Sequence, residues 1–147
     1  MTKKSISAAL LSGLIALWVN ASIAAMVELP RSSVYQVDIA VTDQDGRNTR
    51  WSDAASPSSG PRIVSMFYTH CDFVCPMLFE AIRNIELQLP PAQRQRLQVG
   101  LITLDPVRDD VVALKKTADQ RGGEAARWRL YRTQPKDVRK LAGVLGV

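Results

Sequence analysis

Two continuous apolar runs, separated by an amphipathic pattern, restrict the fold of this chain most strongly. Residues 63–68 (IVSMFY) and 97–104 (LQVGLITL) have the composition of short strands that are covered on both faces. Between them, apolar side chains recur on one face of a helix that ends before a pair of prolines: Leu78, Ile82, Ile85 and Leu89. Strands that alternate with helices predict βαβ units and a mainly parallel sheet, which is the α/β fold class.

The segment before these runs predicts an N-terminal β-hairpin. Residues 34–41 alternate in hydropathy, as in a half-buried strand. Asp45-Gly46 is a strong hairpin-turn signal, and residues 52–61 have the composition of a loop. These signals place two antiparallel strands ahead of the first buried strand.

The segment after the second run predicts two helices around a short strand. Asp109 and Asp110 would begin the first helix, and Gly122-Gly123 would end it. Residues 128–131 (WRLY) form a weaker strand pattern, and Pro135 fits the first position of a last short helix. The alternation of strands and helices therefore continues beyond the second run.

The first 25 residues have the pattern of an export signal. Lys3-Lys4 forms a positive start, an apolar stretch extends from Ile6 to Val19, and Ala24 is a small residue that suits signal-peptide cleavage. An uncleaved membrane anchor is the alternative, because the uncharged stretch approaches the ~20 residues that cross a bilayer. In both cases residues 26–147 would form a domain outside the cytosol, in the periplasm or on the outer face of the inner membrane.

Composition suits a single domain and does not favour a nucleic-acid-binding protein. The chain has 147 residues, of which 46% are hydrophobic. Lys3 and Lys4 supply two of the net +5 charges, and the arginines are scattered rather than gathered into one stripe. We therefore expect no nucleic-acid partner.

The only histidine and both cysteines lie within residues 70–75 (HCDFVC), soon after the first apolar run. This is the carboxyl end of a predicted strand, where open α/β sheets place their ligands. Pro76 fits the first position of the next helix, so we expect Cys75 at the helix cap and Cys71 in the preceding turn. The positive end of the helix dipole would lower the pKa of both thiols.

Three kinds of chemistry fit two such thiols. A structural disulfide would close a loop of only about five residues and contribute about 2 kcal/mol. Paired thiolates also suit Cu(I), which prefers sulfur ligands, and they suit reversible disulfide exchange. A closed zinc site is excluded, because it needs four Cys or His ligands and the chain has two cysteines and one histidine. From these residues alone, the copper, redox and structural roles all remain open.

Three motifs, taken in order along the chain, resemble the Sco/SenC family. They are TDQDG (residues 42–46), FYTHCDFVCP (residues 67–76), which contains Cys-x-x-x-Cys-Pro, and DPVRDD (residues 105–110). In the last motif, Asp110 stands where the family has a threonine. The resemblance extends over residues 34–147.

This resemblance implies a thioredoxin-like fold with an N-terminal β-hairpin. Sco/SenC proteins are copper chaperones on the outer face of a membrane, where they help to assemble the dinuclear copper centre of cytochrome c oxidase. Carried over to this chain, Cys71 and Cys75 would be the two sulfur ligands of copper, as Cu(I) or Cu(II). The implied partners are the copper-bearing oxidase subunit or another copper recipient, and a thiol reductant. We therefore expect a metallochaperone rather than an enzyme, with a periplasmic thiol–disulfide oxidoreductase as the alternative.

One ligand of the family has no counterpart in this sequence. The family's third copper ligand is a histidine in a later loop, beyond residue 147, so the domain is expected to lack its C-terminal strands and final helix. His70 cannot easily replace that ligand, because adjacent residues on an extended segment point to opposite sides and Cys71 already binds. We expect His70 to orient the loop or to be half-exposed.

Charged residues near the cysteines have simpler interpretations. Asp105 or Asp109 would accept backbone N–H bonds at the start of a helix, and Arg108 would be solvated. By the resemblance, the loop of Asp105 also flanks the metal site. Asp72 is expected to face solvent, because a carboxylate oxygen is a poor ligand for Cu(I).

Overall fold

A computed structural model of the protein describes residues 30, 32–55, 60–124 and 126–147. These residues form one five-stranded sheet with helices on both faces. The predicted export segment, residues 1–25, lies outside the described residues. Within the described part of the chain, no helix has the length and apolar character needed to cross a membrane.

The helices and strands follow one another in the predicted alternation. The strands are β1 (Ala40–Asp43), β2 (Asn48–Arg50), β3 (Arg62–Phe67), β4 (Gln98–Thr103) and β5 (Trp128–Thr133). The helices are α1 (Trp51–Ala54), α2 (Val74–Gln88), α3 (Pro91–Arg96), α4 (Val111–Arg121) and α5 (Pro135–Leu145). A 3₁₀ turn at Val34–Gln36 precedes β1.

The sheet has the strand order β2-β1-β5-β4-β3. β3, β4 and β5 are parallel, and the hairpin of β1 and β2 joins the other side of β5 with antiparallel pairing. This confirms the predicted parallel unit. The prediction that residues 63–68 are covered on both faces is wrong for the start of this run, because the first four residues of β3 are only half-buried. Within the described residues, β3 lies at an edge of the sheet. A continuous apolar run does not reveal how many neighbours a strand has.

Each face of the sheet has its own hydrophobic cluster, because successive residues of a strand point to opposite faces. Ile102 of β4 packs in the cluster with Trp51 of α1 and Leu141 of α5. Leu101 packs on the other face, in the cluster with Phe79 of α2. Both cysteines belong to this second cluster, so the candidate site is continuous with the packed core.

The N-terminal hairpin forms where it was predicted, but its first strand is shorter. Residues 34–36 form the 3₁₀ turn because the Ser33 side chain accepts the Tyr35 N–H at its start. The strand prediction over residues 34–39 is therefore wrong. The turn at Asp45-Gly46 is confirmed, with Gly46 at φ 78°, where glycine has no steric penalty.

The segment 52–61 is not entirely a loop, since α1 occupies its beginning. Trp51 is fully buried at the start of this helix, and its indole N–H donates to the Val34 carbonyl at 2.9 Å. The polar composition of the following residues hid the helix, because the single tryptophan provides most of its packing.

The helix that carries the cysteine motif differs from its prediction in start and orientation. α2 begins at Val74 rather than at Pro76, so the proline occupies the first turn, where its missing N–H costs no helical bond. Its buried residues are Cys75, Phe79, Ile82 and Glu86. Ile85, predicted to face the core, is 48% exposed.

One ion pair and one hydrogen bond explain why Glu86, rather than Ile85, occupies the core position. Glu86 pairs with Arg127 at 2.5 Å and accepts the indole N–H of Trp128 at 3.1 Å. A buried carboxylate is tolerated when it is paired and hydrogen-bonded in this way. Hydrophobic periodicity could not indicate this, because both partners lie about 40 residues away in the sequence.

The last predicted elements are confirmed, and one helix was missed. α4 begins with Asp110 as its cap, whose carboxylate accepts the Ala113 N–H at 2.8 Å. α5 begins at Pro135, as predicted. The missed helix is α3, where Pro91 is the first residue of a new helix instead of only a stop signal for α2.

Candidate metal centre

The two cysteines meet at the carboxyl end of β3, where the chain enters α2. The backbone N–H of Cys75 donates to the sulfur of Cys71 at 3.1 Å. Both residues are buried, with 8% and 7% of their surface exposed. The structure therefore brings the two predicted sulfur ligands together, and in the structure they are free thiols.

The sulfur of Cys71 acts as the N-terminal cap of α2. The first amides of a helix have no partner within the helix, and the cap residue, Phe73, provides no side-chain acceptor. Cys71 supplies the acceptor in its place, through the bond to the Cys75 amide. The expected positions are thus shifted, since Cys75 is the second residue of the helix and not its cap.

The two thiols have opposite protonation properties. Hydrogen bonding with the Cys75 thiol, together with the Cys75 and Val74 amides and Tyr68, lowers the pKa of Cys71 to about 7. Burial, followed by the hydrogen bond with Cys71, raises the pKa of Cys75 to about 11. The expectation that the helix terminus lowers both pKa values is therefore wrong for Cys75, because desolvation there outweighs the backbone hydrogen bond from Tyr68 and the charge of Arg121, which lower its pKa.

A stacked aromatic group supports the helix beneath these thiols. The rings of Phe67 and Phe79 meet edge to face with centroids 5.9 Å apart. Phe79 also stacks on Trp128 at 6.0 Å. Because Phe67 ends β3 and Phe79 lies in α2, this packing fixes the start of the helix relative to the strand. Residues 69–73, between the strand and the helix, form the cysteine loop.

His70 is directed towards the neighbouring loop. Its Nδ1 lies 3.0 Å from the hydroxyl of Thr69 and 3.6 Å from the carboxylate of Asp109, and its side chain is 65% exposed. Within the described residues, no group of three or more histidine, cysteine or acidic side chains is arranged to hold a metal ion. Asp72 is exposed.

The loop between β4 and α4 lies beside the cysteine loop. Asp105 accepts the backbone N–H of Arg108 at 3.4 Å and pairs with its guanidinium at 2.5 Å. This pairing, mainly the hydrogen bond from Arg108, lowers the pKa of Asp105. Asp109, predicted as a helix-start acceptor, is instead completely buried. Its carboxylate accepts the backbone N–H of Thr69 at 3.0 Å, across the two loops.

Sequence reasoning missed the two hydroxyl residues that complete this contact. Thr69 and Thr103 both donate hydrogen bonds to the Asp109 carboxylate. A usable signal existed, because Thr103 ends β4 and Thr69 follows the end of β3, and the carboxyl ends of parallel strands meet at one edge of a sheet. The position of Asp109 before a helix predicts only a helix-start acceptor, and it does not indicate that the carboxylate also bonds Thr69 and Thr103.

Comparisons with known proteins show what the chain is similar to. The family model described as SCO1/SenC matches residues 30–142. A protein of Stutzerimonas stutzeri, named as a candidate copper-binding protein, is 42% identical over 53 residues, which are 36% of this chain and 26% of that protein.

Solved structures share the fold. ScoI of Bradyrhizobium japonicum with copper bound has a TM-score of 0.60 and 20% identity, over 74% of this chain and 64% of that one. BsSco, described as a Sco-family cytochrome c oxidase assembly protein with a disulfide switch, has a TM-score of 0.58 and 19% identity, over 72% of this chain and 60% of that one.

These matches define both the fold and the relationship. The chain spans about a quarter of the Stutzerimonas protein and less than two thirds of each of the two solved structures. The likeness confirms the thioredoxin-like fold with its N-terminal hairpin. Since the family match extends over most of the sequence, the chain belongs to the SCO1/SenC family.

Proposed function

We propose that this protein is an exported copper chaperone that holds Cu(I) between the sulfurs of Cys71 and Cys75. The observation that carries the proposal is the hydrogen bond from the Cys75 amide to the Cys71 sulfur at 3.1 Å. It brings the two thiols to one helix start and provides a donor for a thiolate. A thiolate, rather than a thiol, is the metal ligand.

The donor set suits this cargo. Soft sulfur ligands select Cu(I) over hard cations, and both sulfurs are sheltered in the core cluster. Copper binding would release the protons of the two thiols. Roughly half of the Cys71 thiols have already lost their proton at pH 7, because the pKa is about 7, whereas the Cys75 proton, with a pKa of about 11, is released only on binding.

The relatives support a proposal for the destination of the copper. ScoI carries copper in its solved structure, and BsSco is described as belonging to a family of oxidase assembly proteins. We therefore assign the copper-bearing subunit of cytochrome c oxidase as the recipient, with another copper protein as the alternative. The export pattern of residues 1–25 places this transfer in the periplasm or at the outer face of the inner membrane.

A Cu(I) competition assay tests the proposal. The reduced protein is titrated against a chromophoric Cu(I) chelator, beside a variant that carries both Cys71→Ala and Cys75→Ala. We expect one Cu(I) per chain in the parent and at least a hundredfold weaker binding in the variant. Equal affinities would refute the chaperone function.

A second function is favoured by the difference between the two thiols. A pKa of about 7 for Cys71 and about 11 for Cys75 is the arrangement of an attacking thiol with a resolving thiol. The Cys71 thiolate would attack a partner disulfide and form a mixed disulfide. Cys75 would then lose its proton and attack Cys71, which releases the partner as a dithiol and leaves this chain with a disulfide. Two electrons pass to the partner.

Redox equilibration distinguishes this function. The protein is incubated in glutathione buffers of graded potential, and the Cys71–Cys75 disulfide is quantified by mass spectrometry. An oxidoreductase requires a disulfide that forms and is reduced within the buffered range. A pair that stays fully reduced at every potential would exclude it and leave copper binding unaffected.

A further inference from the structure

The buried carboxylate of Asp109 joins two loops that come from different strands. It is completely buried at the start of α4, and it accepts three hydrogen bonds. The backbone N–H of Thr69 donates to Oδ2 at 3.0 Å, the Thr69 hydroxyl donates to Oδ1 at 2.5 Å, and the Thr103 hydroxyl donates to Oδ2. Two of these donors belong to the residue that starts the cysteine loop.

The direction of each bond follows from the number of hydrogens available. The Thr69 hydroxyl has one hydrogen, which it donates to Asp109, so its 3.0 Å contact with His70 requires the ring Nδ1–H to be the donor. Thr103 likewise donates its hydrogen to Asp109, while its oxygen accepts the Asp105 N–H at 3.0 Å. Every donor in this network therefore has an acceptor, and removal of Asp109 leaves the buried Thr103 hydroxyl and the half-buried Thr69 donors without one.

The acceptor side of the network rests on a fixed support. The Asp109 N–H donates to the Asp105 carbonyl at 2.9 Å, which closes the loop between β4 and α4. Arg132 of β5 donates to the Pro106 carbonyl in the same loop at 2.6 Å. The carboxylate is thus attached to the central part of the sheet, whereas the threonine it holds belongs to the exposed cysteine loop.

The cysteine loop is consequently held at two points, its first residue and the sulfur of Cys71. Thr69 is fixed by Asp109, and the Cys71 sulfur is fixed by the amide of Cys75. Only His70 separates the two fixed points. A release of Thr69 would let the backbone of Cys71 move while Cys75 stays anchored in the helix, so the spacing of the two sulfurs would be lost.

We propose that Asp109 is a positioning residue that fixes the Cys71 sulfur relative to Cys75, acting through Thr69. The carboxylate touches neither thiol, and its contribution is to pre-organise the two-sulfur site. The consequence for copper affinity rests on the proposed function, whereas the consequence for the loop does not. Residues that orient metal ligands from outside the ligand set typically change metal affinity by about 10- to 100-fold when they are replaced.

The test compares Asp109→Asn with Asp110→Asn in Cu(I) competition. The first replacement retains the shape but introduces an amide NH2 where a donor already points. The control removes the same charge one residue away, and asparagine still caps α4. We expect about tenfold weaker Cu(I) binding for Asp109→Asn and a change of less than about twofold for Asp110→Asn.

A second pair of variants keeps the test decisive if Asp109→Asn does not fold. Thr69→Val removes the hydroxyl but leaves the N–H bond to Asp109, and Thr69→Ser restores the hydroxyl. We expect about tenfold weaker Cu(I) binding in the valine variant and near-parent affinity in the serine variant. In the double variant Thr69→Val with Asp109→Asn, Cu(I) affinity should fall by about tenfold and not by a hundredfold, because both changes break the same interaction between Thr69 and Asp109.

Amide hydrogen exchange of the reduced, copper-free protein separates this inference from the copper function. Asp109→Asn should accelerate exchange in residues 69–75 and leave β4 unchanged, because the effect is local. Uniformly faster amide exchange throughout the sheet would show that Asp109 only stabilises the fold, and it would overturn the inference. The inference would also be overturned if the Asp109→Asn and Thr69→Val variants both bound Cu(I) as tightly as the parent. A parent that binds no Cu(I) refutes the proposed function, and the exchange pattern then decides the positioning role by itself.

Discussion

The strongest quantitative prediction concerns the pH dependence of thiol labelling. At pH 7, a pKa of about 7 makes roughly half of Cys71 a thiolate, whereas a pKa of about 11 leaves roughly one part in 10⁴ of Cys75 in that form. The thiolate populations therefore differ by about 5,000-fold. The Cys75 thiolate is more basic and therefore the better nucleophile. With a Brønsted coefficient of about 0.4–0.5 over these four pKa units, each Cys75 thiolate reacts about 40- to 100-fold faster than a Cys71 thiolate, which offsets part of the difference in population. Cys71 should react about a hundred times faster.

The assay is labelling with a small excess of iodoacetamide between pH 5.5 and 9, with each site quantified by peptide mass spectrometry. The labelling rate of Cys71 should rise with a midpoint at about 7 and then become constant, whereas Cys75 should react about a hundred times more slowly at pH 7 and faster as the pH rises towards its pKa of about 11. In denaturant, both cysteines should react alike, with a midpoint near the ordinary value of about 8.5. Tyr68→Phe should move the Cys71 midpoint upwards, because hydrogen bonding from Tyr68 lowers that pKa.

The same pKa shifts set the sign of the stability change. Since the folded pKa of Cys71 is below its unfolded value, this thiol contributes stability above the unfolded pKa, and that contribution is lost as pH falls through about 7. Cys75 acts in the opposite sense, and its contribution is lost as pH rises towards about 11. A Cys71 midpoint at about 8.5 or above, or equal labelling rates of both cysteines in the folded protein at pH 7, would refute the reasoning.

Two further predictions concern stability and can be measured by urea unfolding with tryptophan fluorescence. Glu86→Gln should lower the free energy of unfolding by about 2–4 kcal/mol, because Arg127 loses its buried charged partner and keeps only the exposed Glu124 as a charged partner; a loss below about 0.5 kcal/mol would contradict the ion-pair account. Gly123→Ala should cost about 1–3 kcal/mol, because its Cβ would lie 2.3 Å from the Trp128 indole nitrogen. The control Gly143→Ala, which has open space around it in α5, should raise the free energy of unfolding by about 0.5–1 kcal/mol. Equal effects of the two glycine changes would refute the steric argument.

The parts of the fold that sequence predicts well are those specified by local chemistry. The turn at Asp45-Gly46 requires a positive φ that glycine supplies, and α5 begins at Pro135 because a fixed φ suits the first helical position. The strands β3 and β4 were recognisable from composition alone, although only β4 is buried along most of its length. Each of these signals involves residues that are close together in the chain.

The parts that failed depend on distant partners. Ile85 has the right spacing for a core residue, but Glu86 takes the buried position because Arg127 and Trp128 bond its carboxylate. No periodic pattern can report that exchange. Similarly, the strand predicted over residues 34–39 has the right alternation, but no strand among the described residues pairs with it.

The candidate site shows the same division. Cys71 and Cys75 were identifiable because their spacing and position before a helix indicate paired thiols. The difference between their pKa values was not, because it depends on which sulfur receives the helix amide and which is buried. Asp109 and Thr69 were missed as a pair for a related reason, since 40 residues separate them.

The pairing of β1 with β5 has a consequence for synthesis of the chain. Val41 pairs with Thr133, and the Gln44 side chain extends the same edge by bonding the Leu130 N–H and the Trp128 carbonyl. On the ribosome the hairpin is made first, but its partner strand emerges roughly 90 residues later, a delay of roughly 4–18 s at ~5–20 residues per second. During that interval the β3–α2–β4 unit can form from nearer contacts. The cysteine loop can therefore form before the N-terminal hairpin, which is synthesised first, pairs with β5.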